Sequence, residues 1–132
     1  MLKKTIKFTD YNGVERKEDF YFNLSKAELS EMELEIPGGM SAMLQKIAAT
    51  QDTPSLIKIF KGLILRSYGV KSDDGRRFIK SEALREEFSQ TEAYSELFME
   101  LATNADAASA FINGIVPADL SKEMSKQQLP VK

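Results

Sequence analysis

The chain reads as an α+β protein, with an N-terminal β-hairpin packed on a mainly helical body of four to six helices. Three observations carry this reading. Around Asn12-Gly13, apolar and polar residues alternate with the period of strands, and Asn-Gly is a strong hairpin turn signal. From Ser25 onward, apolar residues recur at helical spacing. Ser, Asn, Pro and Gly punctuate those stretches where helices start and stop.

The hairpin register follows from parity. Its clearest apolar residues, Ile6, Phe8, Val14, Phe20 and Phe22, all have even numbers. A two-residue Asn12-Gly13 turn pairs Tyr11 with Val14 and sets Ile6 opposite Asp19, which opposes the pattern. A three-residue loop, Tyr11-Asn12-Gly13 with Gly13 in the left-handed region, pairs Asp10 with Val14 and Leu2 with Phe22. That register puts the apolar set on one face.

The helices are delimited by local signals. Ser25 and Glu28 form a capping box, and Leu24 with Leu29 is placed as a hydrophobic staple. This predicts a helix over 26–35, stopped by Pro37-Gly38-Gly39. Met40, Met43, Leu44 and Ile47 predict a helix over 40–49. Pro54 suits the first position of the next helix, capped by Thr53 or Asp52. That helix, 54–68, is apolar around much of its circumference and is expected at the centre, with Gly69 as a left-handed C-terminal cap. Asp73-Asp74-Gly75 turns a connector that allows a short second hairpin pairing around Val70 and Phe78. Ser81 caps a helix to about Phe88, and Ser89 with Glu92 reads as a second capping box that opens a new helix or a kinked continuation, to about Ala102. Asn104 caps the last helix, to about Asn113, with Gly114 near its end. The reading ends the globular domain at Pro117 (residues 1–117) and expects 118–132 to be a mobile tail.

Composition narrows the function classes. A chain of 132 residues with 42% apolar and 29% charged residues can bury an ordinary single-domain core. The net charge of -2 argues against a general nucleic-acid binder. The chain contains no cysteine and no histidine. Disulfides and thiolate metal sites are thereby excluded, and the commonest general base and metal ligand are absent. No catalytic residue, cofactor site or metal site is expected. The N-terminus lacks the apolar core of a signal peptide, and the most apolar stretch, 56–65, is interrupted by Lys58, Lys61 and Gly62. A soluble intracellular protein with neither membrane nor nucleic acid as partner is the expectation.

Few side chains stand out as sites. Pro37-Gly38-Gly39 before a helix is a weak anion site and lacks P-loop spacing. Lys71, Arg76, Arg77 and Lys80 form the densest basic cluster, offset by Asp73 and Asp74, and suit an acidic protein surface better than DNA. Glu28, Glu31, Glu33 and Glu35 wrap around their helix as a solvated acidic face or a docking rim. Core filling is the ordinary role of methionines at helical spacing, but methionine also suits adaptable contacts. The candidate partner-binding residues are Met40, Met43, Tyr94, Phe98, Arg76 and Arg77.

The stretch from Asp74 to Pro117 carries an aromatic-rich stripe, with Leu84, Phe88, Tyr94, Leu97, Phe98, Leu101, Phe111 and Ile112. Its wording, above all SQTEAYSELFMELATNADAASAFINGIVP, resembles the C-terminal part of tail assembly chaperones of long-tailed bacteriophages. The resemblance implies a small non-virion protein acting in the host cytoplasm. Such a protein sits on the tape measure protein, shields its long helical surfaces and helps recruit tail tube subunits. It also implies, in many such phages, a longer form made by ribosomal frameshifting. Self-association is expected besides, because many weak copies in a row along a long client raise avidity. A virion structural component, such as a tail-completion or connector protein, is the alternative. A small regulator binding DNA through Arg76-Arg77 is a third.

Overall fold

The computed structural model describes residues 1–36, 38, 39, 42, 45 and 53–117. Strands β1 (Leu2–Thr9) and β2 (Glu15–Phe22) form the expected antiparallel hairpin. Helix α1 (Lys26–Glu35) follows, then α2 (Thr53–Ser67), β3 (Tyr68–Lys71) and β4 (Phe78–Ile79). Three consecutive helices complete the described chain: α3 (Glu82–Ser89), α4 (Glu92–Thr103) and α5 (Ala105–Ile115). This is the α+β class, with five helices among the described residues. The sheet is larger than a lone hairpin, because β3 and β4 extend it to four strands in the order β1-β2-β3-β4.

The hairpin has the register that parity demands, with Leu2 opposite Phe22. The Asp10 amide donates to the Val14 carbonyl at 2.9 Å, and the Gly13 amide donates to the Asp10 carbonyl at 2.9 Å. Gly13 has φ +79°. The Asp10 carboxylate accepts from the Asn12 and Val14 amides and from Arg16, which with Val14 holds its pKa below the ordinary value. A Cβ on Gly13 meets nothing within 4 Å, so any cost of a side chain there is conformational. Gly13→Val should therefore destabilise by about 1–3 kcal/mol in denaturant unfolding. Gly13→Asn should cost clearly less, because Asn tolerates this region. Equal losses would mean that the backbone conformation is not the cause.

The even-numbered face of the hairpin turns toward the helices. Ile6 and Phe22 are buried, and Leu2, Phe8 and Phe20 pack partly against the core. Val14, at the turn, lies beyond this cover and is 51% exposed. Helices α4 and α5 lie against β1, and α2 packs on α4. Leu97, Leu101, Phe111, Ile112 and Ile115 supply the helical side of the core. The Leu24 amide donates to the Ile115 carbonyl at 2.7 Å, which fastens the exit of β2 to the end of α5. Helix α2 is buried along one side by Phe60, Leu63 and Ile64, while Ile57, Lys58, Lys61 and Gly62 are exposed. It is central on one face only.

The capping residues behave mostly as expected. Ser25 and Glu28 make the reciprocal box, and Ser81 and Asn104 cap α3 and α5. Three expectations need correction. The cap of α4 is Thr91, whose hydroxyl accepts from the Tyr94 amide at 3.2 Å; the Ser89 hydroxyl bonds back to the Glu86 carbonyl. The helix expected over 54–68 begins at Thr53 and gives up Tyr68 to β3. Gly69 is a strand residue paired with Tyr21 and has no positive φ. Its lack of a side chain serves close approach instead, since a Cβ would fall 2.7 Å from the Phe78 ring and 2.9 Å from the Ile79 carbonyl oxygen. Strand pairing across the sheet overrides the helix-stop signal that a glycine carries locally.

The second hairpin forms, with Val70 opposite Ile79 and Lys71 opposite Phe78. Its turn is pinned by Asp74, whose carboxylate accepts from the Ser72 hydroxyl and the Arg76 amide, with Gly75 at φ +74°. The helix expected over 40–49, with Met40 and Met43, and the tail expected over 118–132 lie outside the described residues, apart from Ala42 and Gln45.

Candidate partner-binding surface

Eight aromatic rings meet in one continuous network. Phe20 and Phe22 come from the inner face of β2, Phe8 from β1 and Tyr68 from the start of β3. Phe88, Tyr94, Phe98 and Phe111 come from the three C-terminal helices. Phe88 is the hub. It stacks on Tyr68 with centroids 4.3 Å apart and 9° between planes, and meets Phe20, Phe22 and Tyr94 at 5.2–5.8 Å. Edge-to-face and stacked pairs of this kind add to the burial term. The network is closed at Phe22, Phe88 and Phe111 and half-open at Phe8, Phe20, Tyr68, Tyr94 and Phe98. Burial raises the phenol pKa of Tyr94, and of Tyr68 together with Glu87 nearby.

Tyr94 and Phe98 stand one turn apart on α4, their rings 6.0 Å apart. Both pack on the core with one side and reach solvent with the other. Next to Phe98 in sequence, Met99 is 55% exposed. Arg76 and Arg77 are brought together on the exposed β3–β4 turn, a separate element from Tyr94 and Phe98. Met40 and Met43 lie outside the described residues.

The basic and acidic clusters do not survive as units. Lys71 lies over the Tyr21 ring, 4.4 Å from its centroid. Lys80 is turned inward, its ammonium 2.6 Å from both the Asn23 carbonyl and the Glu28 carboxylate. Glu28 is thus tied down twice, to Lys80 and to the Ser25 amide. Glu35 pairs with Arg66 at 2.8 Å. Among the described residues no cluster of carboxylates has the arrangement of a metal site. Among them, too, no helix is long and apolar enough to cross a membrane.

Two features escaped the sequence reading. One is the Glu28–Lys80 pair, which joins residues 52 apart and has no local signal. The other is an open groove of about 210 Å³ between β1 and α4, with Ile6 and Leu97 at its base and Glu96 and Glu100 along the helix side. Lys4 crosses to Glu100 at 3.1 Å. A lysine on the inner face of a strand that borders an acidic helix is the clue that was available for it.

A family model described as phage tail assembly chaperone matches residues 1–132, the whole of the chain. The chain belongs to that family. Comparison with curated proteins and with solved structures gives no match. Membership of a chaperone family suggests a role in binding rather than catalysis.

Proposed function

We propose that this tail assembly chaperone coats the tape measure protein in the host cytoplasm, keeps its long helical apolar surface soluble, and helps to recruit tail tube subunits. Recruitment would run through a longer frameshifted form of the chain. Copies of the chain associate with one another along the client, so that many weak contacts add up to stable coating. The observation that carries this reading is the family match over the full chain. The half-buried Tyr94 and Phe98 support it as apolar anchors, joined by Met40 and Met43, with Arg76 and Arg77 meeting acidic positions of the client.

Co-expression with the tape measure protein is the test. The client is expected to be soluble and to co-purify with the chain, and to precipitate without it. Phe98→Lys retains an aliphatic stem over the core while placing a charge at the surface. It should reduce soluble client severalfold with a thermal midpoint lowered only modestly. A client equally insoluble with and without the chain, and never co-purifying, defeats the proposal.

A further inference from the structure

We propose that the outer edge of β1 receives an extended segment of a protein partner, carrying acidic residues at alternate positions, as an added strand of the sheet. This contact is independent of the client-binding reading above and uses a different surface.

The free edge follows from the ladder. In an antiparallel pair, residues alternate between bonding across to the partner strand and pointing away from it. The bond from the Asp10 amide to Val14 marks the even positions of β1 as those that bond to β2. Lys3, Thr5, Lys7 and Thr9 then aim their N–H and C=O groups outward. The other side of the ribbon agrees, since Asn23 bonds to Ser67 and Tyr21 pairs with Gly69, so odd positions of β2 face β3. Among the described residues no other backbone group bonds to those four positions of β1. The opposite edge of the sheet, β4, is only two residues long, against eight for β1.

Charge identifies the occupant. Lys3 and Lys7 are exposed and have no ion pair among the described residues. Lys7 also sits opposite Lys17, so an acid beside it answers two lysines. Edge lysines discourage indiscriminate pairing. They also disfavour a second copy of β1. Antiparallel pairing centred on Thr5 sets Lys3 against Lys7 at both ends, pairing centred on Lys7 sets that residue against itself, and pairing centred on Ile6 leaves every lysine without an acid. A strand with acids on its outer face satisfies Lys3 and Lys7. Its alternate residues turn toward the groove above Ile6 and Leu97, whose sides carry Lys4, Glu96 and Glu100 and which has room for small side chains.

The probe is a synthetic octapeptide of alternating Glu and Val, titrated against the full chain with amide shifts read by NMR. Shifts are expected at Lys3, Thr5 and Lys7, and a Lys–Val octapeptide should leave them unmoved. The double variant Lys3→Glu, Lys7→Glu changes only exposed positions, and its fold is checked by the thermal midpoint. It should bind the Glu–Val peptide about tenfold more weakly and gain affinity for the Lys–Val peptide. Absence of Glu–Val binding at this edge overturns the proposal, as does equal binding by the double variant. Self-association of the chain through β1 that charge reversal leaves unchanged overturns it too.

Discussion

Phe88→Ala should destabilise the chain by about 4 kcal/mol and lower its thermal midpoint by roughly 15 °C. The side chain is 2% exposed and touches four other rings, contributed by β2, β3 and α4. Its removal leaves a cavity where the sheet meets α3 and α4, and neighbours from separate elements cannot all collapse into it. Two contributions make up this loss. Truncating a buried phenylalanine costs about 3–5 kcal/mol in all, from lost transfer energy, the cavity and the ring contacts removed with it. The ring–ring geometry is the smaller part of that figure, at about 0.5–1.5 kcal/mol for a well-oriented pair. Phe88→Leu separates them, because it keeps most of the buried volume and loses the ring contacts. It should cost about 1–2 kcal/mol. Denaturant unfolding of both variants, with unchanged m-values, is the measurement. A loss below about 1 kcal/mol for Phe88→Ala would place the centre of the core elsewhere.

What the sequence made legible was what neighbouring residues decide among themselves. The hairpin register followed from the parity of Ile6, Phe8, Phe20 and Phe22, because a slip of one residue turns every one of them outward. Ser25, Ser81 and Asn104 were readable as caps, because each satisfies an amide within its own first turn. Ser89 and Thr91 offered two competing caps in one short break. Thr91 prevails, and its hydroxyl and amide both bond to the Phe88 carbonyl, so the break is anchored where the hub residue is buried. Gly69 misled for a different reason. A glycine behind a helix looks like a helix stop, whereas its place is decided by Tyr21 and Phe78 on the strands to either side. The candidate surface was legible in the same partial way. Tyr94 and Phe98 share a helical face by spacing alone, but half-burial depends on which rings pack beneath them. The free edge of β1 became visible only once β3 was seen to join β2.

Lys80→Met should cost about 2–3 kcal/mol, mostly by stranding Glu28. The Lys80 side chain is 11% exposed and donates to the Asn23 carbonyl and to Glu28 at 2.6 Å each. Methionine keeps the stem and deletes the ammonium. The Glu28 side chain, at 29% exposed, recovers some water, which sets the loss below that of a fully buried pair. Glu28→Gln is the complementary change. Glutamine at this position can still close the capping box with Ser25 through its one carbonyl oxygen, but its NH2 group then faces the Lys80 ammonium, so both the charge and the bond from Lys80 are lost. The double-mutant cycle should give a coupling of about 1–2 kcal/mol. The pH dependence adds a second readout. Burial pushes the Glu28 carboxyl up, but the bonds from Lys80 and the Ser25 amide outweigh it and hold its pKa below 4.5. The unfolded chain therefore takes up the proton first as the solution is acidified. The stability from Glu28 is complete above its ordinary pKa and is lost as pH falls through the lowered folded value. Lys80 shifts the other way: burial holds its pKa below 10.5 in spite of Glu28, so its charge costs stability until pH rises past that lowered value. The two partners thus disagree about the worth of the pair. The geometry favours Glu28, because both polar ends are satisfied and, among the described residues, no buried side-chain nitrogen or oxygen lacks a partner. Unfolding free energies measured between about pH 3 and 5 should accordingly fall less steeply with acid in Glu28→Gln than in the parent chain. Identical slopes would show that the carboxylate contributes nothing to the join between α1 and the end of β4.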